Sequence, residues 1–272
     1  MLKYKLLEVF LMLHGINNTY LYSAKKIIAR WSNGIDCIEL RGTGFFIDKD
    51  GDLILITNRH VVEPGYDDRK YEKFNVVDMR FETISTTGND AAPQVLSIAS
   101  IVNYKDFVFH PNPNNDVACL KHLQISGGNT ISVSFSIPYS MLATSEWIAS
   151  KLSVCDTIAY PGFPEWYDRQ NNTPIFRMGT IASDPRLNYS YIPGAPDAAR
   201  IAYEGFSTGG ASGSPVFAIQ RGFPTGGAIR APEGFYREVK LIGINAGHFN
   251  DQKGHSGISY LYKSSAIHDI ID

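Results

Sequence analysis

The sequence is poor in cysteine. Its 272 residues include three cysteines, Cys37, Cys119 and Cys155, with wide spacing and no CxxC pair. This odd number excludes a regular disulfide framework, and the spacing excludes a zinc site built on paired cysteines. Cys119 and Cys155 each lie in an apolar run, so we expect buried, reduced thiols there.

Charge is also sparse. Charged residues make up 19% of the chain and the formal net charge is -2. Such a chain has no overall electrostatic attraction to nucleic acids or anionic membranes, so we expect neither as a partner. Hydrophobic residues make up 44% and aromatic residues 12%. This composition excludes a disordered chain and predicts a globular fold.

No long hydrophobic run is present at the N-terminus. The apolar stretch from Leu6 to Leu13 follows a basic start, but Glu8 interrupts it. It is much shorter than the roughly 20 residues that span a bilayer, and no small-residue cleavage site follows closely. We therefore expect residues 1–19 to form a helical extension packed on the domain, and we expect a cytoplasmic protein.

Short β-prone segments dominate the rest of the chain. Runs of Val, Ile, Phe, Tyr and Thr alternate with Gly, Pro, Asn and Asp between residues 20 and 262, which predicts an all-β fold. The turn signal Asp48-Lys49-Asp50-Gly51 predicts a hairpin. Residues 264–271 predict a short C-terminal helix. Its apolar face would consist of Ala266, Ile267, Ile270 and Ile271.

A polar stretch over residues 124–130 divides the β-rich chain into two parts of comparable size. We expect one β-barrel over residues 20–125 and a second over residues 126–272, which includes the C-terminal helix. An active site in the cleft between two such units would draw residues from both.

A glycine-rich turn carries the strongest chemical signal. The sequence Gly209-Gly210-Ala211-Ser212-Gly213-Ser214 leads into an apolar strand and offers two serines. Acyl transfer needs a hydroxyl on a turn whose N–H groups converge on the developing oxyanion, and glycine permits the required dihedral angles. Ser212 fits this requirement better than Ser214. An ordinary Gly/Ser turn is the alternative interpretation of the stretch alone.

A histidine and an aspartate stand at strand ends. His60 follows the apolar run 53–56, and its imidazole suits a general base near neutral pH. Asp116 opens the apolar run 117–120, where a carboxylate needs a hydrogen-bond partner such as an imidazole N–H. Taken singly, His60 also fits a surface loop and Asp116 a turn.

Together, His60, Asp116 and Ser212, in this order, resemble the trypsin-like peptidases of the chymotrypsin clan. Three phrases are similar to the bacterial and intracellular relatives of HtrA proteases, over about residues 26–271: Gly42-Thr43-Gly44-Phe45-Phe46-Ile47, Thr57-Asn58-Arg59-His60-Val61-Val62 and Leu241-Ile242-Gly243-Ile244-Asn245-Ala246-Gly247. The resemblance implies two six-stranded antiparallel β-barrels with short terminal helices. It also implies a serine endopeptidase that acts on protein or peptide substrates without a cofactor.

The resemblance assigns further roles. The N–H groups of Gly210 and Ser212 would form the oxyanion hole, and the Thr57 hydroxyl would support the Asp116 carboxylate. The specificity pocket would be formed by Phe206, Ser207, Asn245, Ala246, Gly247 and Gly257. No acidic residue stands among these six. We therefore expect the pocket to take an uncharged, apolar side chain rather than Lys or Arg, unless a loop shift brings Glu204 into it.

The sequence departs from secreted relatives beside the nucleophile. Ala211 replaces the aspartate that pairs with a freed N-terminus, and no Ile-Val-Gly-Gly start precedes the first barrel. Activation by N-terminal cleavage is therefore not expected, and ordering of the oxyanion loop by a protein partner is a hypothesis. We expect no PDZ module after Tyr262.

Other classes of function compete with a protease. A catalytically silent binding module on the same fold is the main alternative, although an intact triad argues against it. An esterase of the α/β-hydrolase type is disfavoured, because the order His60, Asp116, Ser212 differs from the Ser, Asp, His order of that fold. His248, His255 and Asp251 match no strong ligand motif, so we interpret them as part of a polar surface loop and expect no metal.

Overall fold

The computed structural model describes five ranges of the chain, residues 16–86, 94–126, 134–222, 236–252 and 254–272. The predicted N-terminal helix over residues 1–19 lies largely outside them. A 3-10 helix, Asn18–Ser23, opens the described chain, and its N-cap Asn17 accepts a hydrogen bond from the N–H of Thr19.

The first half of the chain forms one nine-stranded sheet. Its strands are β1 (Lys25–Ser32), β2 (Cys37–Lys49), β3 (Asp52–Thr57), β4 (Asn75–Thr86), β5 (Gln94–Ile101), β6 (Val108–Phe109), β7 (Ala118–Leu120), β8 (Ile125–Ser126) and β9 (Ile137–Pro138). Eight strands follow the order β6-β7-β3-β2-β1-β4-β5-β8, and β9 pairs with β2 in parallel. The sheet thus includes a strand beyond the predicted boundary at residue 125.

The second half forms a closed barrel of six antiparallel strands. These are β10 (Thr157–Gly162), β11 (Ile175–Ile181), β12 (Arg200–Glu204), β13 (Pro215–Ala218), β14 (Lys240–Asp251) and β15 (Gly254–Lys263). The order around the barrel is β10-β11-β12-β15-β14-β13. Three α-helices complete the described fold: α1 (Arg59–Val62), α2 (Ser145–Lys151) and α3 (Ser264–Ile271).

The hairpin between β2 and β3 follows from its local sequence. Lys49 pairs with Asp52, which leaves Asp50 and Gly51 as a two-residue loop with φ of 56° and 94°. Two positive φ angles are typical of a type I′ turn, for which Asp-Gly is a favoured pair. Asp48 Oδ1 also accepts a hydrogen bond from the N–H of Gly51 at 2.9 Å. The predicted hairpin is confirmed.

The core of the molecule consists of three apolar clusters, of which one joins the two halves. Phe46, Leu55 and Phe81 pack inside the first half, and a second cluster fills the closed barrel. Between them, Phe45 of β2 and Phe217 of β13 join a shared core with α3. Since most described elements are strands, in one sheet and one closed barrel, the prediction of an all-β, chymotrypsin-like fold is confirmed. The sheet of the first half has nine strands instead of the predicted six.

Helix α3 links the halves at the C-terminal end. Its predicted apolar face is buried, with Ala266, Ile267, Ile270 and Ile271 all at most 4% exposed. Its polar face reaches the first half, where Asp269 Oδ2 lies 3.1 Å from His110 Nε2. The predicted C-terminal helix is therefore confirmed. No helix in the described ranges is both long and apolar enough to cross a membrane.

The cysteines differ in burial. Cys119 is buried within β7, as predicted, and burial raises the pKa of its thiol to about 11. The prediction of a buried Cys155 is wrong, because this residue occupies an exposed turn with a φ of 65°. Cys37 is exposed as well, and all three thiols are free.

Lys25 is buried at the start of β1, with 0% of its surface exposed. Its Nζ donates hydrogen bonds to the carbonyls of Tyr22 at 2.6 Å and Ser134 at 2.9 Å. No carboxylate of the described chain forms an ion pair with it. Burial therefore lowers the pKa of Lys25 from 10.5 to about 7. The amine ties the entry of β1 to the segment that leads into β9.

We predict that Lys25 makes the stability of the protein rise with pH. Between pH 7 and 10.5 the unfolded chain binds the proton that the folded chain releases, so the free energy of unfolding increases by up to about 1.4 kcal/mol per pH unit. Urea denaturation of the wild type and Lys25→Met from pH 7 upward measures this slope. Parallel pH dependences of the two proteins would contradict the prediction.

Candidate active site

His60 lies at the exit of β3, on the single turn of α1. Its Nδ1 is 2.5 Å from Asp116 Oδ2, and its backbone N–H donates to Asp116 Oδ1 at 2.9 Å. The side chains are 20% and 8% exposed, respectively. The Asp116 carboxylate thus holds His60 at two points, its imidazole and its backbone, and Nε2 is the ring nitrogen that it does not bind.

The loop before β7 places Asp116. Asn58, one residue before α1, donates its side-chain N–H to the carbonyl of Asp116 at 2.6 Å. The predicted role of Thr57 is wrong, because its hydroxyl donates to the carbonyl of Thr43 at 2.8 Å. A hydroxyl has a single proton, so Thr57 cannot also donate to the carboxylate. The sequence analysis missed Asn58, which supports the aspartate through its backbone.

The electrostatic surroundings of His60 favour its protonated form. Burial lowers the pKa of His60, but the charge and hydrogen bond of Asp116 and the charge of Asp67 outweigh it. The net pKa is therefore raised above its usual value of 6.5. A base with this environment stabilises the imidazolium that forms when it accepts a proton.

The glycine-rich turn presents Ser212 and hides Ser214. Ser212 is partly exposed, whereas Ser214 is fully buried, and its Oγ finds no hydrogen-bond partner in the described chain. Ser214 packs so closely on Gly162 that a Cβ there would lie 2.2 Å from its Oγ. Of the two serines in the sequence motif, only Ser212 can meet a substrate.

Two N–H groups of the turn are open to a ligand. Among the described residues, neither Gly210 nor Ser212 donates its backbone N–H to a protein acceptor. The carbonyl of Gly209 is turned away and accepts the N–H of Glu165 at 3.1 Å. Gly210 has a φ of 86°, and a Cβ on it would lie 2.3 Å from the carbonyl oxygen of Phe163. Only glycine fits this position, and the turn has the shape of an anion-binding pocket.

Asn245 holds the glycine-rich turn from inside the barrel. Its fully buried amide donates to the carbonyl of Ala211 at 2.8 Å and to Ser207 Oγ at 2.9 Å. Its Oδ1 accepts the hydroxyl proton of Tyr203 at 2.6 Å. The side chain of Asn245 therefore does not line the pocket, contrary to the sequence prediction. It stabilises the loop where secreted relatives were expected to use an ion pair.

The Ser212 hydroxyl donates to the carbonyl of Ala246 at 3.1 Å. In the described structure it makes no hydrogen bond to His60. Catalytic hydrogen bonds are often long or unformed in a protein without substrate, so this geometry fits a resting state. A rotation about the Cα–Cβ bond of Ser212 moves the hydroxyl away from Ala246.

The remaining predicted pocket residues lie around one region of the surface. Phe206 is 61% exposed, Ser207 is 2% exposed and Ala246 is 5% exposed. A Cβ built on Gly257 would meet no heavy atom within 4 Å, whereas one on Gly247 would lie 2.9 Å from Tyr260 Oη. The sequence analysis missed His255, which it assigned to a surface loop. This ring is half-buried and packs against Phe206, with centroids 4.9 Å apart.

Residues 42–226, which include His60, Asp116 and Ser212, match the family model of the trypsin-like peptidase domain. The chain belongs to the trypsin-like peptidase family. It is accordingly a serine-protease domain, and the family prediction from the sequence is confirmed. No curated protein matches the sequence significantly. No group of three or more His, Cys, Asp or Glu side chains in the described part of this peptidase could hold a metal ion.

Solved serine proteases share the fold of this peptidase. An HtrA-type protease, AlgW, solved as a serine-to-alanine variant with a tripeptide, is 14% identical in sequence, and its TM-score is 0.51. The match covers 93% of this chain and 62% of the AlgW chain. The Rv3671c protease of M. tuberculosis in its active form is 17% identical, with a TM-score of 0.51. The match covers 93% of this chain and 80% of the Rv3671c chain. The thermostable protease AL20 of an extremophilic microorganism is 14% identical, with a TM-score of 0.55. The match covers 93% of this chain and 96% of the AL20 chain. The chain thus spans less than two thirds of AlgW, and at these identities the likeness shows the fold alone.

We predict that Asn245→Leu destabilises the peptidase by about 3 kcal/mol. Its amide is the buried partner of the Ala211 carbonyl and of the Tyr203 and Ser207 hydroxyls, and unsatisfied buried groups are costly. Tyr203→Phe removes one of these bonds and should destabilise by about 1 kcal/mol. Urea denaturation measures both effects. An Asn245→Leu variant as stable as the wild type would contradict the stabilising role of Asn245.

Proposed function

We propose that the chain is a serine endopeptidase that cleaves protein or peptide substrates with Ser212, His60 and Asp116. One observation carries this proposal: the Asp116 carboxylate accepts both the Nδ1 proton and the backbone N–H of His60. A turn with an accessible serine and two unused N–H groups belongs to the same domain. Nucleophile, oriented base and anion-binding donors are the parts that acyl transfer requires.

The proposed reaction has two halves. Ser212 Oγ attacks the carbonyl carbon of the substrate while His60 Nε2 takes its proton, and the N–H groups of Gly210 and Ser212 bind the oxyanion. Collapse of the tetrahedral intermediate breaks the C–N bond, and His60 protonates the leaving amine. Water then attacks the acyl-enzyme ester, with His60 again as base, and releases the carboxylic acid. Asp116 stays ionised throughout.

Ordering of the oxyanion loop by a partner was a hypothesis from the sequence. Hydrogen bonds within the chain support an ordered loop without one. Asn245 binds the carbonyl of Ala211, and Thr43 Oγ1 donates to the carbonyl of Gly210 at 2.8 Å. We propose that the free protein is active and that regulation, where it occurs, acts on access to the cleft.

We propose that the specificity pocket does not accept basic side chains. None of the residues assigned to the pocket is acidic, and Glu204 at the end of β12 is exposed. A Lys or Arg side chain would therefore find no carboxylate partner in the pocket.

We predict that Ser212→Ala abolishes cleavage of unfolded casein, whereas Ser214→Ala retains it. The Ser214 hydroxyl is buried, so its removal does not touch the proposed chemistry. A fluorophosphonate probe should label the isolated wild type and Ser214→Ala but not Ser212→Ala. Equal cleavage by Ser212→Ala and the wild type would refute the nucleophile. An unlabelled wild type would favour the silent binding module.

We predict that activity rises with pH through a midpoint above 6.5, because only neutral His60 acts as the base. The negative charge of Asp67 raises the pKa of His60. Asp67→Asn should therefore shift the acidic limb of kcat/KM to lower pH. Asp68→Asn is the matched control, since Asp68 pairs with Lys70 on the surface. An unchanged profile in Asp67→Asn would contradict this electrostatic account.

A further inference from the structure

His255 borders the specificity pocket. Its Nδ1 accepts the N–H of Gly257 at 2.9 Å, and its Nε2 lies 3.4 Å from Ser259 Oγ. Ser259 is fully buried and accepts the N–H of Ser207 at 3.1 Å. With Phe206 against its ring, His255 touches or approaches three residues assigned to the pocket from the sequence. The imidazole therefore belongs to this site and not to a free surface loop.

The hydrogen bonds of His255 determine which nitrogen carries the proton. Because Nδ1 accepts from Gly257, the neutral ring must be protonated at Nε2. Ser259 gives its own hydroxyl proton to the carbonyl of Gly205 at 2.8 Å, so it can only accept from Nε2–H. A separation of 3.4 Å is long for such a bond. The backbone of Ser207 also hydrogen-bonds the ring, so both acceptors near His255 are uncharged. A carboxylate would be a stronger acceptor than either.

His248 and Arg177 lie near His255. His248 stacks on it with centroids 4.4 Å apart, and Arg177 donates to the carbonyl of Phe206 and to Thr208 Oγ1. Burial lowers the pKa of His255, and the charges of His248 and Arg177 lower it further, while the carbonyl of Ser207 opposes them. Among the side chains that the structure describes, no acidic one contributes to this balance, and the permanent positive charge of Arg177 would attract an anion in the pocket.

We propose that the pocket takes an acidic side chain, Glu or Asp, whose carboxylate accepts the Nε2 proton of His255. The proposal rests on the proposed endopeptidase function and replaces the apolar side chain expected from the sequence. A carboxylate forms a stronger hydrogen bond than the Ser259 hydroxyl, and its charge is opposite to that of Arg177. The open space beside Gly257 leaves room for it. A neutral amide could accept the same proton but would not be attracted by the charge of Arg177.

The test uses four quenched fluorescent peptides that differ only in the residue before the cleaved bond: Glu, Gln, Leu or Lys. For the wild type we expect kcat/KM for the Glu peptide to exceed that for the Leu and Gln peptides by about tenfold. His255→Phe keeps an aromatic ring beside Phe206 and removes the donor, so the ratio of kcat/KM for the Glu peptide to that for the Leu peptide should fall to about one. His122→Asn, which removes an exposed histidine of the first half, is the control and should keep the Glu preference.

The outcomes separate the two proposals. Preference of the wild type for the Leu, Gln or Lys peptide would overturn the acidic pocket and leave the endopeptidase function intact. An unchanged Glu preference in His255→Phe would overturn the role of His255. Fluorophosphonate labelling of Ser212 reports the integrity of each variant independently of the pocket. Failure of the wild type both to cleave any peptide and to label would overturn the endopeptidase function itself, and the pocket proposal with it.

Discussion

The contact of Thr43 with the glycine-rich turn that carries Ser212 joins the two halves of the molecule, and the candidate active site depends on this contact. Thr43 is fully buried, and its N–H donates to the carbonyl of Ser212 at 2.8 Å. Its hydroxyl donates to the carbonyl of Gly210 and accepts the N–H of Phe163 at 3.1 Å. The approach is so close that a Cβ on Gly213 would lie 1.8 Å from the carbonyl oxygen of Thr43. One polar residue of the first half thus determines where the serine of the second half lies, and this explains why the flanking residues must be small.

Neutral hydrogen bonds hold the turn on both sides, through Thr43 on one and Asn245 on the other. Secreted relatives were expected to use an ion pair at the position that Ala211 occupies. An ion pair in a buried site carries a larger desolvation penalty than a hydrogen-bonded amide, and it titrates with pH, whereas the amide does not. The bonds that hold the proposed oxyanion turn therefore do not titrate near neutral pH.

Local patterns in the sequence predicted the parts of the fold that depend on neighbours in the chain. The Asp50-Gly51 loop and the apolar face of α3 need no distant contact for their identification, and both are confirmed. The sequence could not predict which neighbour a polar side chain contacts within the sheets. The Thr57 hydroxyl donates to the carbonyl of Thr43 and not to Asp116, and His255 lies against Ser259 of its own strand, β15. Thr43 lies across the pair of β2 and β3, where pairing register decides the neighbour.

The resting position of the Ser212 hydroxyl connects the turn to the pocket. Its bond to the Ala246 carbonyl, at 3.1 Å, is long for an O–H···O contact and correspondingly weak. A substrate N–H that occupies this carbonyl would compete with the serine and release its hydroxyl toward His60. Since Ala246 lies on the same strand, β14, as His248, a substrate that fills the pocket would approach the serine along that strand. Binding and activation of the nucleophile would then be coupled through a single carbonyl, and an unoccupied site would hold the serine away from its base.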